Sequence, residues 1–102
     1  MYDLLITELA DEDLDAIVQY ISFDLSNPVA AKNLLDKLEA VYQFLVSSPQ
    51  MYPVCDDDRL KGRGYRKVLL KNYILIFRVD EAISRVYLLR FFYGPQNYIE
   101  LL

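Results

Sequence analysis

The stretch that decides the fold is residues 64–98, GYRKVLLKNYILIFRVDEAISRVYLLRFFYGPQNY. Three apolar runs in it are rich in β-branched and aromatic residues and are bounded by turn-forming residues, so each predicts a strand. The runs are Tyr65–Leu70, Tyr73–Val79 and Arg85–Tyr93. Only a few residues separate consecutive runs, which predicts an antiparallel meander. Lys71-Asn72 separates the first two runs, and because asparagine tolerates a positive φ we expect a two-residue hairpin turn there.

Two amphipathic helices are predicted before this sheet. Acidic residues suit the first turn of a helix, which places the first start at Asp11-Glu12-Asp13 and its end near Leu25. Asn27 can cap a second helix with Pro28 at its first position, and its apolar stripe runs to about Ser47. The residues predicted to face the sheet are Leu14, Ile17, Ile21, Leu34, Leu38, Val41 and Leu45.

The whole chain is predicted to be one α+β domain, residues 1–102, with both N-terminal helices on one face of a small, mainly antiparallel sheet. Tyr2–Thr7 is a candidate first strand at an edge of that sheet. Residues 48–64 are expected to be irregular, because Pro49 and Pro53 interrupt any regular element. After Gly94-Pro95, the tail is expected to dock back on the body.

Composition favours a cytoplasmic protein. No apolar run approaches the roughly 18 residues of a membrane span, so no membrane partner is expected. The N-terminus lacks the features of a signal peptide, and Cys55, the single cysteine, cannot form an internal disulfide. With no histidine and one cysteine, the commonest metal ligands are missing, so no metal or cofactor is expected. The Asp56-Asp57-Asp58 cluster lacks the pattern of a calcium loop and predicts a solvated loop.

Charge is divided unevenly along the chain. Residues 1–58 carry two lysines against twelve carboxylates, a net charge of −10, whereas residues 59–102 carry nine basic residues against three carboxylates, a net charge of +6. The two values sum to the −4 of the whole chain. This division predicts that the C-terminal half faces an acidic partner or a nucleic acid. The alternative is that helices carry acid and strands carry base by chance.

The basic strands permit phosphate chemistry. Cleavage of a phosphodiester needs a base, cations that stabilise the charge on phosphorus, and support for the leaving oxygen. Arg66, Lys67, Arg78 and Arg90 are candidate cations, because arginine contacts phosphate with two donors. Without histidine, the base would be a tyrosine or lysine with a lowered pKa. Each residue also has a structural alternative, such as Arg78 pairing with Asp80 or Glu81 across the turn. Cys55 beside three aspartates is expected to have a raised thiol pKa and is a poor nucleophile.

The order of these segments resembles the RelE/ParE superfamily of toxins from bacterial type II toxin–antitoxin systems, the plasmid-stabilisation type. The segments that carry the resemblance are DLDAIVQYI (13–21), NPVAAKNLLDKL (27–38), SSPQMYP (47–53), GYRKVLLKNYILIFRVD (64–80) and VYLLRFFYGPQNYIELL (86–102). The resemblance implies two helices on a small sheet and a cognate antitoxin, usually encoded beside the toxin. Whether the protein also forms a homodimer is a question that the resemblance leaves open. The first hypothesis that the resemblance implies is a metal-independent, ribosome-dependent mRNA endonuclease like the RelE members. The alternatives are a ParE-like toxin that inhibits DNA gyrase and is not a nuclease, and a degenerate member that only binds its antitoxin.

The resemblance also implies candidate site residues. It gives family positions to Arg66, Arg90 and Tyr98, the candidate catalytic residues, and to Arg78. Together with Arg78, the candidate nucleic-acid-binding residues are the basic residues of the loop and first strand and one tyrosine of the last strand: Lys61, Arg63, Lys67 and Tyr93. Three positions depart from the nuclease branch. Ile74 follows Tyr73 where that branch has an arginine, Gln96 replaces its tail arginine, and Tyr93 replaces the histidine of many members. These departures argue against RelE-like cleavage, while the basic sheet argues for it.

Overall fold

The computed structural model describes residues 1–94 and 102. Its elements in chain order are β1 (Asp3–Ile6), α1 (Glu8–Gln19), a π-helix (Tyr20–Asp24), α2 (Pro28–Ser47), a 3-10 helix (Pro49–Met51), α3 (Asp58–Gly62), β2 (Arg66–Leu70), β3 (Tyr73–Asp80) and β4 (Arg85–Tyr93). The sheet order is β1-β4-β3-β2, with β1 parallel to β4 and the other neighbours antiparallel. Helix α1 contacts β4, and α2 contacts β1 and β2. The predicted α+β fold is confirmed.

The first helix begins earlier than the acidic residues indicated. Thr7 is the N-cap, and its hydroxyl oxygen accepts the backbone N–H of Ala10 at 3.2 Å. The same hydroxyl donates to the carbonyl of Leu88 on β4 at 2.8 Å. The start predicted at Asp11 is therefore wrong, because Thr7, which is held by the neighbouring strand, caps a helix that begins three residues earlier, at Glu8. The cap predicted at Asn27 is confirmed, since its side chain accepts the N–H of Ala30 at 3.1 Å.

The two-residue turn between β2 and β3 forms as predicted, but the positive φ falls on Lys71 (φ 58°) and not on Asn72. Leu70 and Tyr73 pair directly across the turn. The favoured two-residue hairpin turns have a positive φ at their first central residue, which is Lys71 here, and its side chain is exposed.

The sheet has a hydrophobic core on each face. On the helix side, Leu38 and Leu45 of α2 pack with Leu75, Phe77 and residues of the neighbouring strands. On the opposite face, Cys55 and Leu60 cover Ile74, Ile76 and Phe92. β3 is therefore buried on both sides, which explains why its sequence does not alternate.

The segment 48–64 is more regular than predicted. It contains the 3-10 helix and α3, whose buried Leu60 covers the second face of the sheet. Asp57 caps α3, because its carboxylate accepts the backbone N–H groups of Arg59 at 3.0 Å and Leu60 at 3.2 Å. The acidic cluster thus includes a helix cap, a role that the expectation of a solvated loop missed.

The predicted helix residues face the core. Among these seven, Ile21, Leu38 and Leu45 are buried. Those that are partly buried against the helix-side core are Leu14, Ile17, Leu34 and Val41. Throughout residues 1–94 and 102, no helix combines the length and apolar character needed to cross a membrane.

We expect Leu38→Ala to lower the free energy of unfolding by about 2–5 kcal/mol, because it opens a cavity between α2 and the sheet. Leu35 on the same helix is 41% exposed and serves as a matched control. Leu35→Ala should change the free energy by roughly 0.5 kcal/mol or less. Denaturant unfolding measures both, and equal losses for the two variants would contradict this packing.

Candidate functional site

Arg66 opens β2 and points to the helix side of the sheet, as does its cross-strand partner Phe77. Its Nη1 donates to the backbone carbonyls of Tyr52 at 2.6 Å and Gln50 at 3.4 Å. Val54 also forms a β-bridge with the backbone of Arg66. The half-buried guanidinium therefore holds the segment between α2 and α3 against the sheet.

Arg90 lies on β4, beyond the point where β1 ends. Its Nε donates to Oδ2 of Asp13 at 2.7 Å and its Nη2 donates to Oδ1 at 3.1 Å, so the ion pair is bidentate. The backbone N–H of Phe91 donates to the same Oδ2 at 3.0 Å. Donating these hydrogen bonds to the Asp13 carboxylate raises the pKa of Arg90, which keeps this guanidinium charged. A carboxylate of α1 thus replaces β1 as the partner of this part of the β4 edge.

The structure does not bring Arg66 and Arg90 together. β3 separates their strands, and each side chain turns to a partner at the outer edge of its own strand. Tyr98, the third predicted catalytic residue, lies outside the described residues. The described residues therefore show two structural arginines at opposite sides of β3.

The face opposite the helices carries arginines stacked on aromatic rings. The guanidinium carbon of Arg78 lies 4.1 Å from the ring centroid of Tyr87, its cross-strand partner. Arg85 lies 5.9 Å from the same ring, and Arg63 lies 5.9 Å from the ring of Tyr65. These five residues form what we call the cation–aromatic face. Stacking on a ring orients a guanidinium without neutralising it.

Arg78 does not make the predicted alternative contact. Within the part of the chain that the structure describes, the three ion pairs are Lys32–Asp36, Lys67–Asp56 and Arg90–Asp13. The pairing of Arg78 with Asp80 or Glu81 is therefore wrong, because Tyr87 draws the guanidinium across the strand and Asp80 accepts the N–H of Ala82 in the turn.

The other predicted nucleic-acid-binding residues divide between two places. Lys61 and Arg63 are exposed at the end of α3, and Lys67 points to the same side of the sheet, 3.6 Å from Asp56. Tyr93 lies on the helix side, where its ring packs edge-on against Tyr73 at 5.7 Å. Lys61, Arg63, Lys67 and Arg78 thus share one side of the sheet, and Tyr93 does not.

Tyr93 lines a groove of about 620 Å³ between the first helix and the ends of β3 and β4, together with Asp13, Ile17, Tyr20 and Tyr73. A second groove of about 440 Å³, on the α2 side, shares Leu25, Asn72 and Tyr73 with it. The π-helix lies between the two and exposes large apolar side chains. We call this group the hairpin tip: Tyr20, Phe23, Leu25 and Val29.

The hairpin tip, Arg85 and Tyr87 are sites that sequence reasoning missed. A periodic helix pattern had predicted a continuous helix to Leu25, which hid the π-helix. The available signal was that Phe23 is a large apolar residue off the predicted buried stripe.

The pKa shifts of the described tyrosines do not favour a base. Tyr2, Tyr42, Tyr52 and Tyr73 all have raised pKa values, and burial together with the charge of Asp11 raises the pKa of Tyr42 to about 12. These phenols stay protonated at neutral pH. The thiol pKa of Cys55 is also raised, as expected, but burial is the largest cause and the neighbouring aspartates contribute less.

We expect Asp13→Ala to lower the free energy of unfolding by about 2–3 kcal/mol, because it leaves Arg90 and the N–H of Phe91 without an acceptor. Asp15→Ala removes an exposed carboxylate from the same helix and should cost roughly 0.5 kcal/mol or less. Asp13→Asn keeps an acceptor and should fall between them. If Asp13→Ala and Asp15→Ala unfold at the same denaturant concentration, the carboxylate does not hold the β4 edge.

Comparisons with known proteins agree on one family. The family model described as ParE toxin of type II toxin-antitoxin system, parDE, matches residues 4–98. No curated protein sequence matches the chain.

Solved structures share the fold. A chain of the chromosomal ParDE toxin–antitoxin system from P. aeruginosa aligns with a TM-score of 0.71 and 22% identity, covering 91% of this chain and 96% of that one. A chain of the RelBE2 toxin–antitoxin complex from Mycobacterium tuberculosis aligns with a TM-score of 0.58 and 20% identity, covering 90% of this chain and 96% of that one. With the family model spanning nearly the whole sequence, the chain belongs to the ParE toxins of type II toxin–antitoxin systems, within the RelE/ParE superfamily.

Proposed function

We propose that this toxin acts by binding a protein target, DNA gyrase, and not by cutting mRNA. The observation that carries the proposal is the use of Arg66 and Arg90. Both guanidinium groups already donate to groups that hold the fold, Arg66 to the carbonyls of Gln50 and Tyr52 and Arg90 to Asp13. A phosphate would have to displace these contacts, which costs the stability that they provide.

The described tyrosines with shifted pKa values do not favour the role of a base in RNA cleavage. The tyrosines with shifted pKa values are shifted upward, so they hold their protons at neutral pH. A general base works best when its pKa lies near the pH of the reaction. Residues 1–94 and 102 therefore support binding better than cleavage.

The hairpin tip suits a protein target. Phe23 is 76% exposed, and Tyr20, Leu25 and Val29 beside it are also exposed. Exposed apolar residues that cluster at one place mark protein interfaces, and isolated ones do not. Aromatic residues at the centre of an interface contribute much of its binding energy. We infer that the tip inserts into an apolar pocket of the target.

We also propose a cognate antitoxin as the partner that silences this toxin. The solved relatives are toxin–antitoxin complexes, and the C-terminal half of this chain carries a net charge of +6. An antitoxin segment with carboxylates would complement that charge, and complementary charge speeds association.

A second candidate is a ribosome-dependent mRNA endonuclease, and the cation–aromatic face favours it. Arg63, Arg78 and Arg85 lie against rings that also offer stacking surfaces, the combination that single-stranded RNA contacts use. In this candidate the catalytic residues would be Arg66, Arg90 and Tyr98, with both arginines released from their present partners.

Induction of the toxin without its antitoxin separates the two candidates. We expect plasmid supercoiling to fall and gyrase activity in extracts to drop before protein synthesis does, because the target is the topoisomerase. Pulse labelling with a radioactive amino acid follows translation over the same time course. Translation failing first, with cut mRNA, would establish the endonuclease instead.

Tyr98→Phe is the matched variant for this experiment, because it keeps the ring and removes only the hydroxyl group. A gyrase binder should arrest growth as strongly with phenylalanine. An endonuclease that uses this oxygen should lose most of its toxicity.

We expect Phe23→Ser to weaken toxicity at least about tenfold without lowering the free energy of unfolding. The Phe23 ring is exposed to solvent in the free toxin and would be buried against the target in the complex. Met51 is 73% exposed and lies on the 3-10 helix, so Met51→Ser is the control with a similar loss of exposed apolar surface. Toxicity is measured as the inducer concentration that halves growth. Equal toxicity of the two variants would place the target interface away from the tip.

A further inference from the structure

Three tyrosines line the larger groove beside the hairpin tip, and we call it the tyrosine groove: Tyr20, Tyr73 and Tyr93. Tyr73 begins β3 and Tyr93 ends β4, and the two pair directly across the strands. Their ring centroids lie 5.7 Å apart, with the ring planes inclined by 61°. Tyr20 begins the π-helix on the other side. The groove of about 620 Å³ therefore has aromatic rings on its helix side and on its sheet side.

The three phenols lie near one another around a space that solvent reaches. Burial is the largest cause of the raised pKa of Tyr73, and repulsion from the ionised forms of Tyr20 and Tyr93 raises it further, an effect that needs short distances. Tyr20 and Tyr93 are 49% and 47% exposed. A side chain that enters the groove from a partner would therefore contact the ring of more than one tyrosine.

The helical segment beside the groove is negatively charged. Arg90 neutralises Asp13, which is the one charged side chain among the described residues that line the groove. The helical segment ends at the groove with Leu25, and the C-terminal end of a helix carries a partial negative charge. A negative potential at a concave surface concentrates cations there. Residues 8–24 hold six carboxylates and no lysine or arginine: Glu8, Asp11, Glu12, Asp13, Asp15 and Asp24.

The neighbouring groove on the α2 side has the opposite character. Lys37 and Lys71 line it, and asparagine side chains lie between them and the apolar floor. A further cation would be repelled by the two ammonium groups. Of these two grooves, the tyrosine groove is therefore the one that suits a cation.

We propose that the tyrosine groove binds a lysine or arginine side chain of the target protein. Ammonium and guanidinium groups are attracted to the faces of aromatic rings, and more strongly where water is partly excluded. The phenol oxygens and the side-chain oxygen of Asn72 are available kinds of acceptor for their N–H groups. The groove shares Tyr20 and Leu25 with the hairpin tip, so the two surfaces are continuous.

This inference rests on the proposed binding of gyrase, and it describes the surface that gyrase must present. That surface has an apolar pocket for the tip and a basic side chain beside the pocket. The basic residue gives the interaction a specificity that apolar contact alone does not, because a partner without it leaves the groove unfilled.

Fluorination of one ring tests the proposal. Fluorine withdraws electron density from the face of a ring and weakens its attraction for a cation, while the ring stays apolar. Tyr20→Phe is the starting point of a series in which that ring carries one, two or three fluorine atoms. We expect the affinity for purified gyrase to fall with each fluorine, by roughly 3- to 30-fold over the series. A second series built on Tyr93→Phe probes the sheet side of the groove and should show the same direction.

Phe44 provides the matched control, because it is 43% exposed on α2 and lies outside both the groove and the tip. The same fluorine atoms on Phe44 should change the affinity by less than about twofold. Denaturant unfolding of every variant shows that the fold is retained. If gyrase binds but its affinity stays constant or rises with fluorine in both series, the groove holds an apolar group and the proposal is wrong. If the unmodified toxin does not bind gyrase, the proposed target fails and this inference fails with it.

The antitoxin is the other protein that could occupy the groove. Its affinity is measured with the same two fluorinated series, using the antitoxin purified from the co-expressed complex. We expect the fluorine dependence to appear with gyrase. A dependence seen only with the antitoxin would assign the groove to the antitoxin and would overturn the proposal, although gyrase would remain the target.

Discussion

The outer edge of β4 is the constraint on which the rest of this structure depends. β1 pairs with β4 only as far as Leu88, and the edge beyond it still has N–H groups that need acceptors. The Asp13 carboxylate accepts from the N–H of Phe91 and from the Arg90 guanidinium in a site that is mostly buried. This contact joins α1 to the sheet and thereby positions the π-helix and the hairpin tip that follow it.

The need to pair polar groups within the fold also limits which arginines of the sheet are available for chemistry. Arg66 holds the segment between α2 and α3 against the sheet, and Arg90 holds α1 there. The two arginines of the predicted catalytic site therefore stabilise the fold. Among the described residues, the surfaces left for partners include the apolar hairpin tip and the cation–aromatic face on the side of the sheet opposite the helices.

The elements themselves could be predicted because their signals are local. The three strands of the meander lie within a residue or two of the predicted runs, and the Asn27 cap with Pro28 starts α2. The predictions were wrong where a group distant in sequence determines the start or the presence of an element. Thr7 caps the first helix while bonded to Leu88, and α3 is regular because Leu60 fills the second face of the sheet.

The sequence by itself determined the fold class, the helix and strand order, most of the core and the superfamily, because periodicity, caps and turns act over a few residues. It also placed Lys61, Arg63, Lys67 and Arg78 among the residues of one basic half. Only the tertiary structure decided what each cation does. Arg90 meets a carboxylate 77 positions away, and Arg66 meets carbonyls more than a dozen residues before it. Charge can be read from a residue type, but a partner depends on which elements the sheet brings side by side.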